Sequence, residues 1–135
     1  FLAESSVTLY FKPINNWMDE DEINAAMLNW DLGLAPLNDT VVCRAKSAFK
    51  VKQYLNLGIP AVSTIVGENP KFIKNGHNGF LYETIDELKT ILTAFYHLPE
   101  QERSLLRSNS TDSARVFQLE TISNEWINAL KDQLQ

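Results

Sequence analysis

The stretch KSAFKVKQYLNLGIP, residues 46–60, decides the fold of this chain. Ser47 is of the residue type that caps helix starts, and Gly58 has the freedom to end a helix as its first non-helical residue. Between them the apolar residues recur at helical spacing. The predicted buried positions are Ala48, Val51, Tyr54 and Leu55.

Apolar runs flank this helix on both sides. Residues 31–35 form a brief strand that stops at Pro36, and residues 59–66 form the strongest strand pattern in the chain. Further short strands are predicted at residues 7–11 and 80–82, with helices between them. Strands separated by crossover helices imply a parallel sheet covered on both faces. The expected fold is a Rossmann-like α/β domain with about four parallel strands.

The remaining segments are read as loops and helices within one domain, residues 1–135. A helix begins near Asp19, a loop covers residues 38–45, and a short helix opens at Asn69 and closes at Gly76. Thr84 caps the next helix. Residues 100–135 form a helical tail, and its last helix is predicted to bury Ile122, Trp126, Leu130 and Leu134.

Composition excludes several classes of protein. The chain of 135 residues carries a net charge of -5, with 44% hydrophobic and 21% charged residues, as in ordinary globular proteins. An acidic balance argues against a broad nucleic-acid surface. The single cysteine, Cys43, cannot form an internal disulfide. No apolar run in the sequence approaches the length that spans a membrane.

The loops after the strands should hold the ligand, because open parallel sheets bind at the carboxyl ends of their strands. These loops are residues 35–49, 64–70 and 82–84. In the predicted helix Lys46, Lys50 and Gln53 share one face. Cations near a helix start oppose its dipole unless an anion offsets them.

A phosphate would use these cations together with the free N–H groups of Ala48 and Phe49. The alternative is a solvated basic face. A second helix start follows Gly67 at the same edge. Gly67 is either part of the ligand site or simply a residue of the strand-to-helix turn.

Four blocks in this order resemble one family. They are DLGLAPL at residues 31–37, KSAFKVKQYLNLGIPAVS at 46–63, VG at 66–67 and NGHNGFL at 75–81. The set is similar to the C-terminal, donor-binding domain of group 1 glycosyltransferases, which have the two-Rossmann (GT-B) architecture. The resemblance covers residues 30–82 well and the tail more loosely.

The resemblance implies that a nucleotide-sugar lies across the strand ends. No metal or cofactor is implied, and no catalytic residue is assigned. The implied donor-binding residues are Lys46, Ser47, Ala48, Phe49, Lys50, Gln53 and Gly67. Gln53 stands where the family commonly has a ribose-binding glutamate, and Ala45 where an earlier glutamate marks retaining enzymes. Lys71 occupies the place of a third glutamate.

The function implied is transfer of a sugar to a saccharide or lipid-linked acceptor, in cell-surface polysaccharide or glycoconjugate biosynthesis. In the family a separate N-terminal domain binds the acceptor. We therefore expect this chain to be a truncated segment of a cytoplasmic enzyme, inactive in isolation. Peripheral membrane association of the full protein and a dimer through an exposed sheet edge are compatible with this assignment.

Two other interpretations remain open. The first is a non-catalytic interaction module of the same descent, favoured by the loss of acidic groups at Ala45 and Gln53. The second is an unrelated flavodoxin-like or receiver-like domain. Such a domain should carry an acidic cluster or a flavin phosphate loop at its strand ends, and the sequence contains neither pattern.

Overall fold

The computed structural model describes residues 13–14, 16 and 18–133. Three strands lie in this part of the chain: β1 (Gly33–Leu34), β2 (Ala61–Thr64) and β3 (Gly79–Tyr82). A 3-10 turn, Arg115–Phe117, joins the last two helices. The helices are α1 (Glu20–Met27), α2 (Val41–Arg44), α3 (Phe49–Asn56), α4 (Asn69–Phe72), α5 (Ile85–Tyr96), α6 (Glu100–Ala114) and α7 (Leu119–Gln133).

The strands form one open parallel sheet in the order β1-β2-β3. Gly33 pairs with Ala61, and Ala61 in turn pairs with Gly79. Helices connect successive strands, as parallel pairing requires. The predicted α/β class is confirmed. The described residues hold three strands rather than about four, and the strand predicted at residues 7–11 lies outside them.

Helix α3 occupies the centre of the core. Its residues Val51, Tyr54 and Leu55 are buried, and the helix packs on β2 and α6. Gly58 ends it with a left-handed φ of 69°. The N–H of Gly58 donates to Leu55 O at 3.0 Å and that of Ile59 to Tyr54 O at 2.9 Å. These two bonds are a Schellman motif, so the role predicted for Gly58 is confirmed.

Helix caps follow the local sequence in two places. Asp19 caps α1 by accepting from the N–H of Glu22, and Thr84 caps α5 by accepting from the N–H of Glu87. In both helices acidic residues occupy the first turn, where the helix dipole favours them. The cap predicted at Thr84 is confirmed, and the helix predicted to begin near Asp19 starts at the next residue, Glu20, with Asp19 as its cap.

Three predicted boundaries were wrong. Helix α3 begins at Phe49 after Ala48, so Ser47 does not cap it and Lys46 precedes it. The predicted loop at residues 38–45 contains α2, because Thr40 caps it by accepting from the N–H of Cys43. The helix expected to reach Gly76 ends at Phe72.

The last helix departs most from prediction. Residues 119–133 are helical, but the structure buries no residue of α7. Trp126 is 68% exposed and Leu130 56% exposed. The predicted burial of this stripe was wrong for the residues described, and Leu134 lies outside them. An apolar stripe needs a complementary surface, and no described element supplies one. Across the described residues, no helix has the length and apolar character needed to cross a membrane.

Candidate functional site

A cavity of about 620 Å³ opens at the carboxyl end of β1. We call it the α3 cavity. It lies at the edge predicted from the strand order, between the loop that leaves β1 and the segment that enters α3. Its lining consists of residues 34–37 and 45–50 with Tyr54 and Asn69. Cavities of this size accommodate ligands of nucleotide dimensions.

Two lysines are the charged side chains of the α3 cavity. Lys46 and Lys50 line it, and its described lining includes no carboxylate. Lys50 Nζ donates to Gln53 Oε1 at 3.0 Å, which is a neutral partner. None of the ion pairs formed within the described residues involves either lysine. The cavity therefore presents net positive charge.

The backbone adds donors at the same place. Ala48 adopts φ 54° and is the one non-glycine residue with positive φ in the described part of the chain. The first helical bond of α3 runs from Lys52 N–H to Ala48 O, at 3.0 Å. The N–H groups of residues 49–51 precede it and have no acceptor within the helix. When a left-handed residue precedes a helix, successive backbone N–H groups can form a concave site that binds anions.

A network of buried polar groups holds the cavity wall. Asn69 Nδ2 donates to Ser63 Oγ at 2.5 Å, and Ser63 Oγ donates to Ala35 O at 2.6 Å. Both side chains are buried. The helix predicted to open at Asn69 does begin there, after Glu68, and the Asn69 amide bonds to β2 through Ser63. Tyr54 Oη, from α3, donates to Leu34 O of β1 at 3.2 Å.

Burial also affects the ionisation of Tyr54. Its hydroxyl is removed from water between α3 and β1, and this desolvation raises its pKa above the usual value of 10.0. The neutral phenol is the form that can donate to Leu34 O. The bond therefore stabilises the cavity wall at neutral pH.

The structure brings five of the seven predicted donor-binding residues to the α3 cavity: Lys46, Ser47, Ala48, Phe49 and Lys50. Gln53 lies outside it. Its amide donates to Asn24 Oδ1 at 3.1 Å and accepts from Lys50, so it links α1 to the cavity lysine.

Gly67 also lies outside the lining and has a structural role. Its φ is 63°, and an added Cβ would lie 2.8 Å from Cys43 O. Any side chain would therefore separate the start of α4 from α2. The position requires glycine because of this close approach.

A neighbouring cavity of about 530 Å³ follows the ends of β2 and β3. Asp39, Tyr82 and Glu83 contribute to its lining. The Arg44 guanidinium bonds to the Asp39 carboxylate and holds the pKa of that carboxyl below its usual value. Acidic groups therefore line this side of the edge, whereas lysines line the α3 cavity. No cluster of three metal-ligating side chains exists among the described residues.

Comparisons with known proteins add no relative: no protein-family model matches the chain, and no curated protein matches it significantly. The class defined by the structure is thus an α/β domain with a small open parallel sheet and a cationic cavity at its carboxyl edge.

Proposed function

We propose that this chain is the donor-binding part of a glycosyltransferase and that the α3 cavity takes the diphosphate of a nucleotide-sugar. The observation that supports this most directly is the charge of the cavity. Lys46 and Lys50 line the cavity beside the start of α3, where the first N–H groups have no acceptor within the helix. Phosphate oxygens accept from ammonium and backbone N–H donors together.

The two neighbouring cavities suggest how the ligand lies. The diphosphate binds beside Lys46 and Lys50, and the hydroxyl-bearing groups extend along the strand ends toward Glu83. Carboxylates accept hydrogen bonds from sugar hydroxyls but repel phosphates. Phe49, which lines the α3 cavity and is 59% exposed, offers a ring on which a base can stack.

The direct test is titration of the chain with uridine diphosphate and guanosine diphosphate by calorimetry. Each good charged hydrogen bond is worth about 1.5–3 kcal/mol, so Lys50→Ala should weaken binding about tenfold or more. Lys46→Ala should act in the same direction. Lys74→Ala is the matched control, since Lys74 is exposed and lies outside both cavities.

Gln53→Ala separates two roles for that residue. If Gln53 acts through its bond to Lys50, the loss of affinity is smaller than that of Lys50→Ala. If it contacts ribose directly, as the resemblance implies, the losses are similar. Unchanged affinity in both lysine variants would show that the diphosphate does not bind here.

A second candidate function is a non-catalytic nucleotide-binding module of the same descent. Ala45 favours it, because it lines the α3 cavity where the resembled family has a glutamate. A transfer and hydrolysis assay with a panel of nucleotide-sugars distinguishes the two candidates. For a donor-binding part alone we expect binding without turnover until the acceptor-binding domain is supplied. Binding without turnover in its presence supports the module.

A further inference from the structure

The α3 cavity contains one polar side chain that is almost completely buried, that of Asn69. Only 2% of this residue is exposed, and it belongs to the cavity lining. Its Nδ2 donates to Ser63 Oγ at 2.5 Å. The other polar atom of the amide, Oδ1, accepts no hydrogen bond from any residue that the structure describes. Half of a buried amide is therefore left without a protein partner.

The hydrogen bonds around Ser63 fix which way this amide is turned. Ser63 Oγ donates to Ala35 O at 2.6 Å, and a hydroxyl has a single proton to donate. Towards Asn69 the hydroxyl can therefore act only as an acceptor, so it must meet Nδ2. A turned amide would set two acceptors against each other or withdraw the proton from Ala35 O. Asn69 Oδ1 is thus held on the side away from Ser63.

The free oxygen of Asn69 is in reach of a ligand. Across the described part of the chain, one side-chain polar atom is both completely enclosed and unpaired, and that atom is Arg103 Nε. Asn69 Oδ1 also lacks a partner but is not enclosed in this way, so it keeps some accessible surface. Because Asn69 lines the α3 cavity, this surface lies where a bound ligand can contact it.

The other ligand-binding groups proposed for the α3 cavity are donors. They are the ammonium groups of Lys46 and Lys50 and the first N–H groups of α3. Phosphate oxygens pair with such donors, whereas they have nothing to offer a carbonyl oxygen. A buried acceptor that stays unpaired is costly. A ligand that matches the whole cavity therefore carries a hydrogen-bond donor as well as negative charge.

We propose that Asn69 is a specificity-determining residue of the α3 cavity, and that its Oδ1 accepts a hydrogen bond from a hydroxyl group next to the phosphates of the ligand. This inference rests on the proposed function and deepens it. Ribose and the transferred sugar are the two sources of such a hydroxyl. A site built to bond a hydroxyl discriminates against ligands that lack one, which here are bare phosphates.

Calorimetry with three ligands tests this role. Pyrophosphate has no carbon-bound hydroxyl, uridine diphosphate has those of ribose, and uridine diphosphate glucose adds those of a sugar. Asn69→Leu keeps the branching of the side chain but removes Oδ1. We expect it to lower the affinity for a hydroxyl-bearing ligand about two- to tenfold more than the affinity for pyrophosphate. A selective loss already seen with uridine diphosphate identifies ribose as the source, and one seen only with uridine diphosphate glucose identifies the sugar.

Ser63→Ala is the matched control. It removes the partner of Asn69 Nδ2 and leaves Oδ1 in place, so it changes the cavity wall without removing the proposed ligand contact. All three affinities should then change by the same factor. If Ser63→Ala and Asn69→Leu give the same pattern across the ligands, Asn69 acts only through the wall and the proposal is overturned.

Carbon NMR of the unaltered chain gives a readout that does not depend on the folding of a variant. The side-chain carbonyl signal of Asn69 should move downfield with the hydroxyl-bearing ligand and less with pyrophosphate. Equal movement with all three ligands, or none, overturns the proposal. If Lys50→Ala still weakens binding in that case, the diphosphate site stands and only the role of Asn69 fails. Unchanged affinity in both lysine variants overturns the proposed function and this inference together.

Discussion

Helices α3 and α7 have similar amphipathic patterns and opposite environments. In α3 the apolar residues Val51, Tyr54 and Leu55 are buried, with Leu55 0% exposed. In α7 the stripe that includes Trp126 and Leu130 faces outward among the described residues. Periodicity thus identified an apolar face in both helices. It did not identify what covers that face.

The connections explain the difference. Helix α3 ends at Gly58, and its Schellman bonds turn the chain directly into β2. A short helix-to-strand connection forces the helix back onto its own sheet. Helix α7 follows a 3-10 turn and leads into no described strand. The described residues therefore contain only the connection at its start, and none that returns α7 to the sheet.

Truncation of one leucine in each helix gives the largest expected contrast. Leu55→Ala should lower the free energy of unfolding by about 2–5 kcal/mol, because it leaves a cavity in the core. Leu130→Ala makes the same chemical change on an exposed face and should change it by less than about 0.5 kcal/mol. Urea denaturation of both variants measures the difference. Equal losses would mean that α7 is packed in solution, and the contrast with α3 would fail.

The helix starts provide a second, smaller contrast. Thr84→Ala removes the side-chain cap of α5 and should cost about 1 kcal/mol. Ser47→Ala should cost close to nothing, because Ser47 makes no cap bond to α3. Thermal unfolding of the two variants measures this. If Ser47→Ala lowers stability as much as Thr84→Ala does, then Ser47 caps α3 as the sequence pattern predicts.

The smallest expected effect concerns pH. The folded protein holds the pKa of Tyr54 above that of the unfolded chain, because burial disfavours the phenolate. The unfolded state therefore releases this proton first, and stability is lost as pH rises through about 10. Tyr54→Phe should reduce this slope, which would be measured by denaturation at increasing pH.

Two other tyrosines are needed to interpret the pH dependence of Tyr54→Phe. Tyr82, whose pKa burial also raises, should supply the slope that remains in Tyr54→Phe. Tyr96→Phe is the control, since its ring is 77% exposed. A slope that is the same in Tyr54→Phe and Tyr96→Phe would contradict the buried environment of Tyr54 in α3.

Features governed by local bonding were predictable. Gly58 and Thr84 act within one helical turn of their positions, so residue type was sufficient to place them. The start of α3 was not predictable in this way. Ser47 is the better cap by type, but Ala48 takes the left-handed conformation and shifts the helix start to Phe49. Thr40, of a residue type that caps helix starts, begins α2 inside the stretch predicted as a loop.

Part of the candidate site could also be predicted, because the position of the edge follows from strand order alone. The rule for parallel strands located the edge, and five of the seven residues line the α3 cavity. Gln53 was placed on the face of Lys46 by helical spacing, which fails because Lys46 precedes the helix. The bond from Asn69 to Ser63 joins two elements across the carboxyl edge, and no short sequence pattern encodes such a contact.

The sequence by itself determined the alternation of strands and helices, the parallel sheet and the lysines beside one helix start. These follow from spacing and residue type, which act over a few residues. The tertiary structure alone decided that α3 is covered and α7 is not. It also decided that Gln53 turns toward Asn24. Such contacts depend on the separation of distant segments in space, which local spacing does not specify.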